Sequence, residues 1–147
     1  MTDIQLTPHF KMSEFTNSEY AKSHNIRNVF QSKYMTNLTN LVNVLETIRQ
    51  RYGLPITVTS GYRSKALNTA LGGVSNSDHL YGAAADIKGK YSNRGLWNLI
   101  VDMINNNDIE VRQLIWEKGT TTEPAWIHIS VNNMQNSYRH NQILKLI

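Results

Sequence analysis

The stretch Ser77-Asp78-His79-Leu80-Tyr81-Gly82-Ala83-Ala84-Ala85-Asp86-Ile87 holds an imidazole and a carboxylate a short loop apart, with one glycine and three alanines between them. Small residues let backbone segments approach closely, and Gly82 favours a tight turn. His79 and Asp86 are therefore two candidate ligands for one zinc ion. A simple hydrogen bond between the two side chains would also bring them together, so the remaining parts of a metal site must come from elsewhere in the chain.

An alternating segment supplies the third candidate ligand. In Trp126-Ile127-His128-Ile129-Ser130-Val131 the isoleucines and the valine are predicted to face the core. Trp126, His128 and Ser130 then lie on the opposite face of the strand. A histidine beside an exposed tryptophan suits the floor of a cleft, although a solvated histidine fits the same pattern.

Together, His79, Asp86 and His128 would provide two imidazoles and one carboxylate. Three protein ligands leave the fourth zinc position open for water, as in catalytic sites. Zinc lowers the pKa of that water and polarises a carbonyl. A further carboxylate is needed to take the proton and pass it to the leaving amine. Glu117 is the preferred candidate because it ends the strand predicted to pair with the His128 strand. Glu123, in the same hairpin, is the alternative.

Arg63 lies in a turn directly after a predicted strand, where functional residues are often found. An ordinary surface charge is one interpretation of this residue. The functional interpretation is that its planar guanidinium binds a substrate carboxylate through two parallel hydrogen bonds.

Helices and strands are both predicted. An apolar stripe at spacings of three and four residues predicts a core helix that ends at Tyr52-Gly53-Leu54-Pro55. The stripe consists of Met35, Leu38, Leu41, Val42, Leu45 and Ile48. Asn93 is predicted to cap a second amphipathic helix, and Ser13 and Ser18 to cap two short N-terminal helices. Four segments are predicted strands: residues 56–60, 84–88, 111–117 and 126–131. The last two form a hairpin, and the tail after them is predicted to be a closing segment.

Composition narrows the class of protein. With 147 residues, of which 40% are hydrophobic and 18% charged, the chain is predicted to form a single globular domain over residues 1–147. It has no cysteine, which excludes disulfides and thiolate metal sites. A net charge of +4 favours an anionic partner such as a cell wall. The basic residues are scattered, so we expect no nucleic-acid partner.

The chain also lacks the signals of membrane insertion and export. No apolar run is long enough to cross a membrane, and Met1-Thr2-Asp3-Ile4-Gln5 does not begin a secretory signal peptide. We therefore expect a protein that is made in the cytoplasm and does not bind membranes. If it acts outside the cell, another factor must release or export it.

The chain resembles the zinc peptidases of the M15 family, which include D-Ala-D-Ala carboxypeptidases and phage endolysins. The resemblance is carried by Ser60-Gly61-Tyr62-Arg63-Ser64, Ser77-Asp78-His79, Gly82-Ala83-Ala84-Ala85-Asp86 and Trp126-Ile127-His128-Ile129-Ser130. Phe10-Lys11-Met12-Ser13-Glu14-Phe15 and Gln113-Leu114-Ile115-Trp116-Glu117 are similar to the small single-domain branch of the family. The order and spacing of these blocks are specific, and they extend over nearly the whole chain.

The resemblance implies an α+β fold, with helices packed on a small antiparallel sheet, as in D-Ala-D-Ala peptidases and the signalling domain of hedgehog proteins. It implies that His79, Asp86 and His128 bind Zn²⁺ and that Arg63 binds substrate. Ser77 and Trp126 lie in the matching blocks and are expected to contact substrate. The implied substrates are peptidoglycan stem peptides, often ending in D-alanine.

The sequence departs from the family pattern at Ala125. Many relatives have the catalytic carboxylate at this position, three residues before the last histidine ligand, so the base here must come from elsewhere. The leading hypothesis is a monomeric zinc peptidase of the cell wall, such as a phage lysis enzyme. The alternative is a catalytically idle zinc-binding or structural module on the same fold. The bond that is cut stays open, and another borderline divalent ion could replace zinc.

Overall fold

The computed structural model describes residues 3–147. Within this part of the chain, α-helices and β-strands are mixed, with two short 3-10 helices. The helices are α1 (Met12–Thr16), α2 (Glu19–Ser23), α3 (Met35–Tyr52), α4 (Lys65–Ala70) and α5 (Asn93–Asn105). The strands are β1 (Gln5–Thr7), β2 (Phe10–Lys11), β3 (Thr57–Ser60), β4 (Ala84–Lys88), β5 (Gln113–Glu117), β6 (Trp126–Ser130) and β7 (Gln142–Leu146). The 3-10 helices span Ser32–Tyr34 and Asp78–Tyr81.

The main sheet has five strands in the order β3-β4-β6-β5-β7. Its first three pairings are antiparallel, and β7 runs parallel to β5. A separate β1–β2 hairpin precedes it. The predicted α+β class is confirmed. Two features are corrections to the sequence analysis: the N-terminal hairpin was not predicted, and the tail forms β7 at the sheet edge, so that residues 126–130 are not the last strand.

Helix α3 is the longest helix and carries the predicted apolar stripe. Leu38, Leu41, Val42, Leu45 and Ile48 are all buried. Met35, predicted to belong to the stripe, is 36% exposed because it lies at the first turn. The helix ends where predicted: Gly53 adopts φ +74°, a left-handed conformation that glycine adopts without a steric penalty. No helix within residues 3–147 is long and apolar enough to span a bilayer.

Serine side chains start several of the helices. Ser18 caps α2 as predicted, and its hydroxyl accepts a hydrogen bond from the Ala21 amide. Two predicted caps are wrong. Helix α1 already begins at Met12, so Ser13 lies inside it. Helix α5 is capped by Ser92, whose hydroxyl accepts from the Gly95 amide at 3.0 Å, and Asn93 is its first residue.

The sheet has one apolar face that packs on the helices. Side chains from alternate positions of β4, β5 and β6 join residues of α3 and α5 in one buried cluster. The sheet contributes Ala85, Ile87, Leu114, Trp116, Ile127 and Ile129. This confirms the predicted alternation of β4 and β6. Because successive strand residues point to opposite faces, Asp86 and His128 lie on the face away from this cluster.

Glu46 attaches the N-terminal hairpin to α3. Its carboxylate accepts hydrogen bonds from the His9 amide at 2.9 Å and from Gln50 Nε2 at 3.3 Å, and it lies 2.7 Å from His9 Nδ1. Burial alone would raise the pKa of Glu46. The hydrogen bonds, above all that with the His9 ring, outweigh burial and lower its pKa from 4.5 to about 2.

A carboxylate whose pKa is depressed by folding stabilises the folded state above its unfolded pKa, and this contribution disappears as the pH falls through the folded pKa. We therefore expect Glu46→Gln to lower the free energy of unfolding by about 2 kcal/mol at pH 7, the scale of hydrogen bonds to a charged group. The difference from the wild type should shrink between pH 4.5 and about 2. Urea unfolding at several pH values measures it. Glu19→Gln, on the exposed side of α2, is the control. A difference independent of pH would contradict this account.

Candidate metal and active site

Neighbouring strands bring two of the predicted ligands together. Asp86 of β4 and His128 of β6 are directly opposite each other, and Ile115 of β5 is opposite His128 on its other side. Directly opposed residues on one face of an antiparallel pair have their Cβ atoms about 4.5–5.5 Å apart. The register of the sheet therefore places a carboxylate and an imidazole side by side.

The third predicted ligand comes from the 3-10 helix Asp78–Tyr81, which we call the His79 turn. Ser77 starts it, with its hydroxyl accepting from the His79 amide at 3.2 Å. Gly82 ends it at φ +67°, and a Cβ there would lie 2.9 Å from the Phe30 ring. The chain then enters β4 through residues 83–85, three alanines that are fully buried. Small residues and a left-handed glycine thus allow the turn to fold back on the sheet, as the sequence predicted.

The donor atoms of His79, Asp86 and His128 all lie within 4.8 Å of one another. Asp86 Oδ1 is 3.3 Å from His79 Nε2 and 3.0 Å from His128 Nδ1. Two donors bound to one tetrahedral zinc ion at about 2 Å each are about 3.3 Å apart. Two imidazoles and one carboxylate are also ligands that Zn²⁺ accepts. The three residues therefore fit a zinc ion in both spacing and chemistry.

Hydrogen bonding prepares His79 for this role. Its Nδ1 lies 2.7 Å from the carbonyl oxygen of Gly61, so Nδ1 carries the proton and donates. Nε2 faces Asp86 and is the ring nitrogen left for a metal, the arrangement typical of metal-binding histidines. Burial lowers the pKa of His79, which favours the neutral imidazole that binds metals. A Cβ at Gly61 would lie 2.6 Å from the Phe15 carbonyl oxygen, so glycine is required for this close approach.

The Asp86 carboxylate is less exposed than the Arg63 guanidinium beside it. Burial alone would raise its pKa, but the adjacent imidazoles of His79 and His128 hold its pKa well below the usual value. Arg63 is a third neighbour, with Nη2 at 3.5 Å from Asp86 Oδ2. The carboxylate therefore stays ionised, which is the form that binds a metal.

The guanidinium of Arg63 contacts the protein at three points. Its Nε donates to Ser60 Oγ at 3.1 Å, Nη1 to Asn68 Oδ1 at 3.3 Å, and Nη2 to Asp86. Burial lowers its pKa, and the charge of Asp86 opposes this effect. Three of its five N–H groups have partners, so two are available to a substrate. Arg63 borders a wide groove between β3 and helices α1 and α2.

A separate cleft of about 370 Å³ lies beside the candidate metal ligands. His128, Ser77 and Glu117 all border it. Glu117 lies two residues after Ile115, the partner of His128, so it is a diagonal neighbour of His128 on the same face. It is half-buried, and burial raises its pKa. A carboxylate with a raised pKa beside a metal site suits a proton acceptor.

Two other predicted residues, Trp126 and Glu123, are not among those that line the cleft. Trp126 is partly exposed on β6 and pairs with Glu117 across the strands, next to the cleft. Glu123, the alternative base, accepts hydrogen bonds from the backbone amides of Asn93 at 2.6 Å and Arg94 at 3.3 Å. A carboxylate at a helix N-terminus stabilises the helix. Glu123 is thus committed to starting α5, and Glu117 is the glutamate that borders the cleft.

The sequence analysis missed a buried ion pair beside the site. Arg112 Nη1 lies 2.8 Å from Asp78 Oδ2, and both residues are less than 9% exposed. Asp78 Oδ1 also accepts from Asn133 Nδ2 at 3.0 Å and Asn136 Nδ2 at 2.7 Å. One signal was available: strand alternation gives Arg112 the same parity as the buried Leu114, and a buried arginine requires a carboxylate partner.

Comparisons with known proteins indicate the family of the chain. The family model of Peptidase M15 matches residues 8–130. A zinc D-Ala-D-Ala carboxypeptidase of Streptomyces albus G is 50% identical over 44 residues. That match covers 29% of this chain and 17% of the relative, so it concerns a small part of the longer protein. Because the family match extends over most of the chain and includes all three candidate ligands, the chain belongs to the Peptidase M15 family.

Proposed function

We propose that this protein is a zinc-dependent peptidase that hydrolyses peptides of the bacterial cell wall. One observation carries the proposal: His79, Asp86 and His128 converge beside a cleft that also contains Glu117. Membership of a peptidase family supports the reaction class. The zinc D-Ala-D-Ala carboxypeptidase among its relatives supports both the metal and a peptide that ends in D-alanine.

Each residue has a distinct part in this proposal. His79, Asp86 and His128 hold the metal, and the Gly61 carbonyl keeps His79 in the required tautomer. A bound Zn²⁺ would supply a Lewis acid that polarises the scissile carbonyl and acidifies a water. Glu117 takes a proton at its carboxylate and returns it to the leaving amine. Arg63 binds a substrate carboxylate with its two remaining N–H groups, while Ser77 and Trp126 contact the peptide.

The substrate and setting are also part of the proposal. Stem peptides of peptidoglycan carry the free carboxylates that Arg63 would bind. A positive net charge favours contact with an anionic wall. We propose a monomer that reaches the wall after release, as a phage lysis enzyme does, or by export. Trimming a terminal D-alanine and opening a cross-link both use this chemistry.

The metal ligands can be tested by binding alone. We expect the wild type to bind one zinc ion and His128→Ala to bind it more than about a hundredfold more weakly, because even the loss of an outer partner of a ligand costs about 10–100-fold. Calorimetry and metal analysis measure the affinity and stoichiometry. His140→Ala removes an exposed histidine and should bind zinc as the wild type does. Wild-type affinity in His128→Ala would remove His128 from the ligand set.

The reaction can be tested by mass spectrometry of purified peptidoglycan fragments after incubation with the zinc-loaded protein. The expected result is a product that is absent from a chelator-treated sample and whose mass identifies the bond. Glu117→Gln should retain zinc and lower kcat by about 10²–10⁴-fold, the usual contribution of general acid–base catalysis. Glu123→Gln tests the alternative base and should keep activity. Loss of activity in Glu123→Gln, with Glu117→Gln active, would reverse the assignment.

Arg63 is expected to act mainly in substrate binding. Arg63→Ala should raise KM about tenfold, which corresponds to about 1.4 kcal/mol and is the scale of one charge-assisted hydrogen bond. Because Arg63 also contacts Asp86, zinc stoichiometry must be measured in the same variant. Unchanged KM in a zinc-loaded Arg63→Ala protein would end its proposed role with substrate.

The second candidate function is a zinc-binding module without catalysis. Ala125 favours it, because this position lacks the carboxylate that many relatives have there. Ala125 is nevertheless adjacent to Glu117, since its amide donates to the Glu117 carbonyl at 3.0 Å. This module would lose stability when zinc is removed and would leave every wall fragment intact, with or without chelator.

A further inference from the structure

The C-terminal part of the chain forms one side of the cleft beside the metal ligands. We call residues 132–141, between β6 and β7, the C-terminal wall. Asn136 and Arg139 of this wall border the same cleft as Glu117 and His128. The wall lies beyond residue 130, where the family match ends. Its side chains are therefore features of this chain that the family match does not include.

Buried polar contacts hold the C-terminal wall in place. Asn133 and Asn136 both donate to Asp78, at 3.0 and 2.7 Å. Arg112 Nε donates to the Ser137 carbonyl at 2.9 Å, while its Nη1 pairs with Asp78. Because Asp78 is buried next to the ligand His79, the wall is fixed relative to the metal site.

Arg139 is the available cation of this cleft. Its backbone is fixed on both sides by the Asn132 side chain, through bonds of 2.8 and 2.9 Å. Its guanidinium is exposed and has no hydrogen bond or ion pair within residues 3–147. The other arginine of the cleft, Arg112, is neutralised by Asp78. Arg63 is bound by Ser60, Asn68 and Asp86, and it borders the wide groove beside β3 and not this cleft.

We propose that Arg139 binds a carboxylate of the substrate peptide and so selects acidic peptides. This inference rests on the proposed function. Arg139 and Glu117 border the same cleft, and no ion pair joins them within the described residues. A peptide bound between them would have its scissile bond near Glu117 and a free carboxylate near Arg139. A guanidinium in an exposed cleft recognises such a carboxylate by charge and by its paired N–H groups.

The test uses pairs of peptidoglycan fragments. Each pair consists of an acid and an amide, in which one carboxylate of the acid has been converted to a carboxamide. Each carboxylate of the fragment is tested in a pair of its own. In the pair whose altered carboxylate contacts Arg139, the Arg139→Ala variant should have a KM for the acid about tenfold above that of the wild type, with kcat unchanged. A tenfold change corresponds to about 1.4 kcal/mol of binding free energy. The amide of that pair should already have the higher KM and should not respond to Arg139→Ala. Arg139→Lys should restore part of the difference because it keeps the charge. Arg94→Ala removes an exposed arginine outside the cleft and should leave every KM unchanged.

Two results would overturn the proposal: an unchanged KM in Arg139→Ala for every acid, or equal changes for acid and amide. If the wild type cuts none of the fragments, the proposed function fails separately. In that case, calorimetry measures the affinities of the zinc-loaded wild type and of zinc-loaded Arg139→Ala for the acid and the amide of each pair, and these affinities decide the role of Arg139. A preference for the acid that only the wild type shows would support Arg139. Equal binding by both proteins, or binding of no fragment, would reject its role.

Discussion

The buried carboxylate of Asp86 is the group on which the site depends. An isolated buried carboxylate is costly, because it loses its hydration without a compensating charge. Here three groups face it: the imidazoles of His79 and His128 and the guanidinium of Arg63. Each comes from a different segment, so the charge of Asp86 ties the His79 turn, β6 and the turn after β3 together. The Asp86 carboxylate and the two imidazoles beside it are also the types of donor that Zn²⁺ binds.

Local patterns allowed much of this arrangement to be predicted. The alternation of residues 126–131 determines which side of β6 carries His128, and the alternation of β4 places Asp86 on the same face. The short hairpin from β5 to β6 determines the register that makes Glu117 a diagonal neighbour of His128. These relations depend on strand geometry and short connections, which sequence reveals well.

The parts that could not be predicted depend on distant contacts or on competition between neighbouring residues. Strand β7 forms because residues 142–146 pair in parallel with β5, and its short sequence has no decisive alternation. Ser92 and Asn93 are both good caps, and the Glu123 carboxylate at the Asn93 amide accompanies the start of the helix at Asn93. The Asp78–Arg112 pair joins segments 34 residues apart, so no local pattern connects the two charges.

In the proposed function, the residues around Asp86 carry out the chemistry and the C-terminal wall provides the selectivity. The candidate metal ligands and the candidate base lie on paired strands and a turn within the family match, where a shift of one residue would move a candidate ligand to the other face. Arg139 lies on a segment between strands, where substitutions are better tolerated. The separation is incomplete, however, because Asn133 and Asn136 bind Asp78 directly beside His79. In the proposed role, a change at Arg139 affects recognition alone, whereas a change at either asparagine also disturbs the turn that carries the candidate ligand His79.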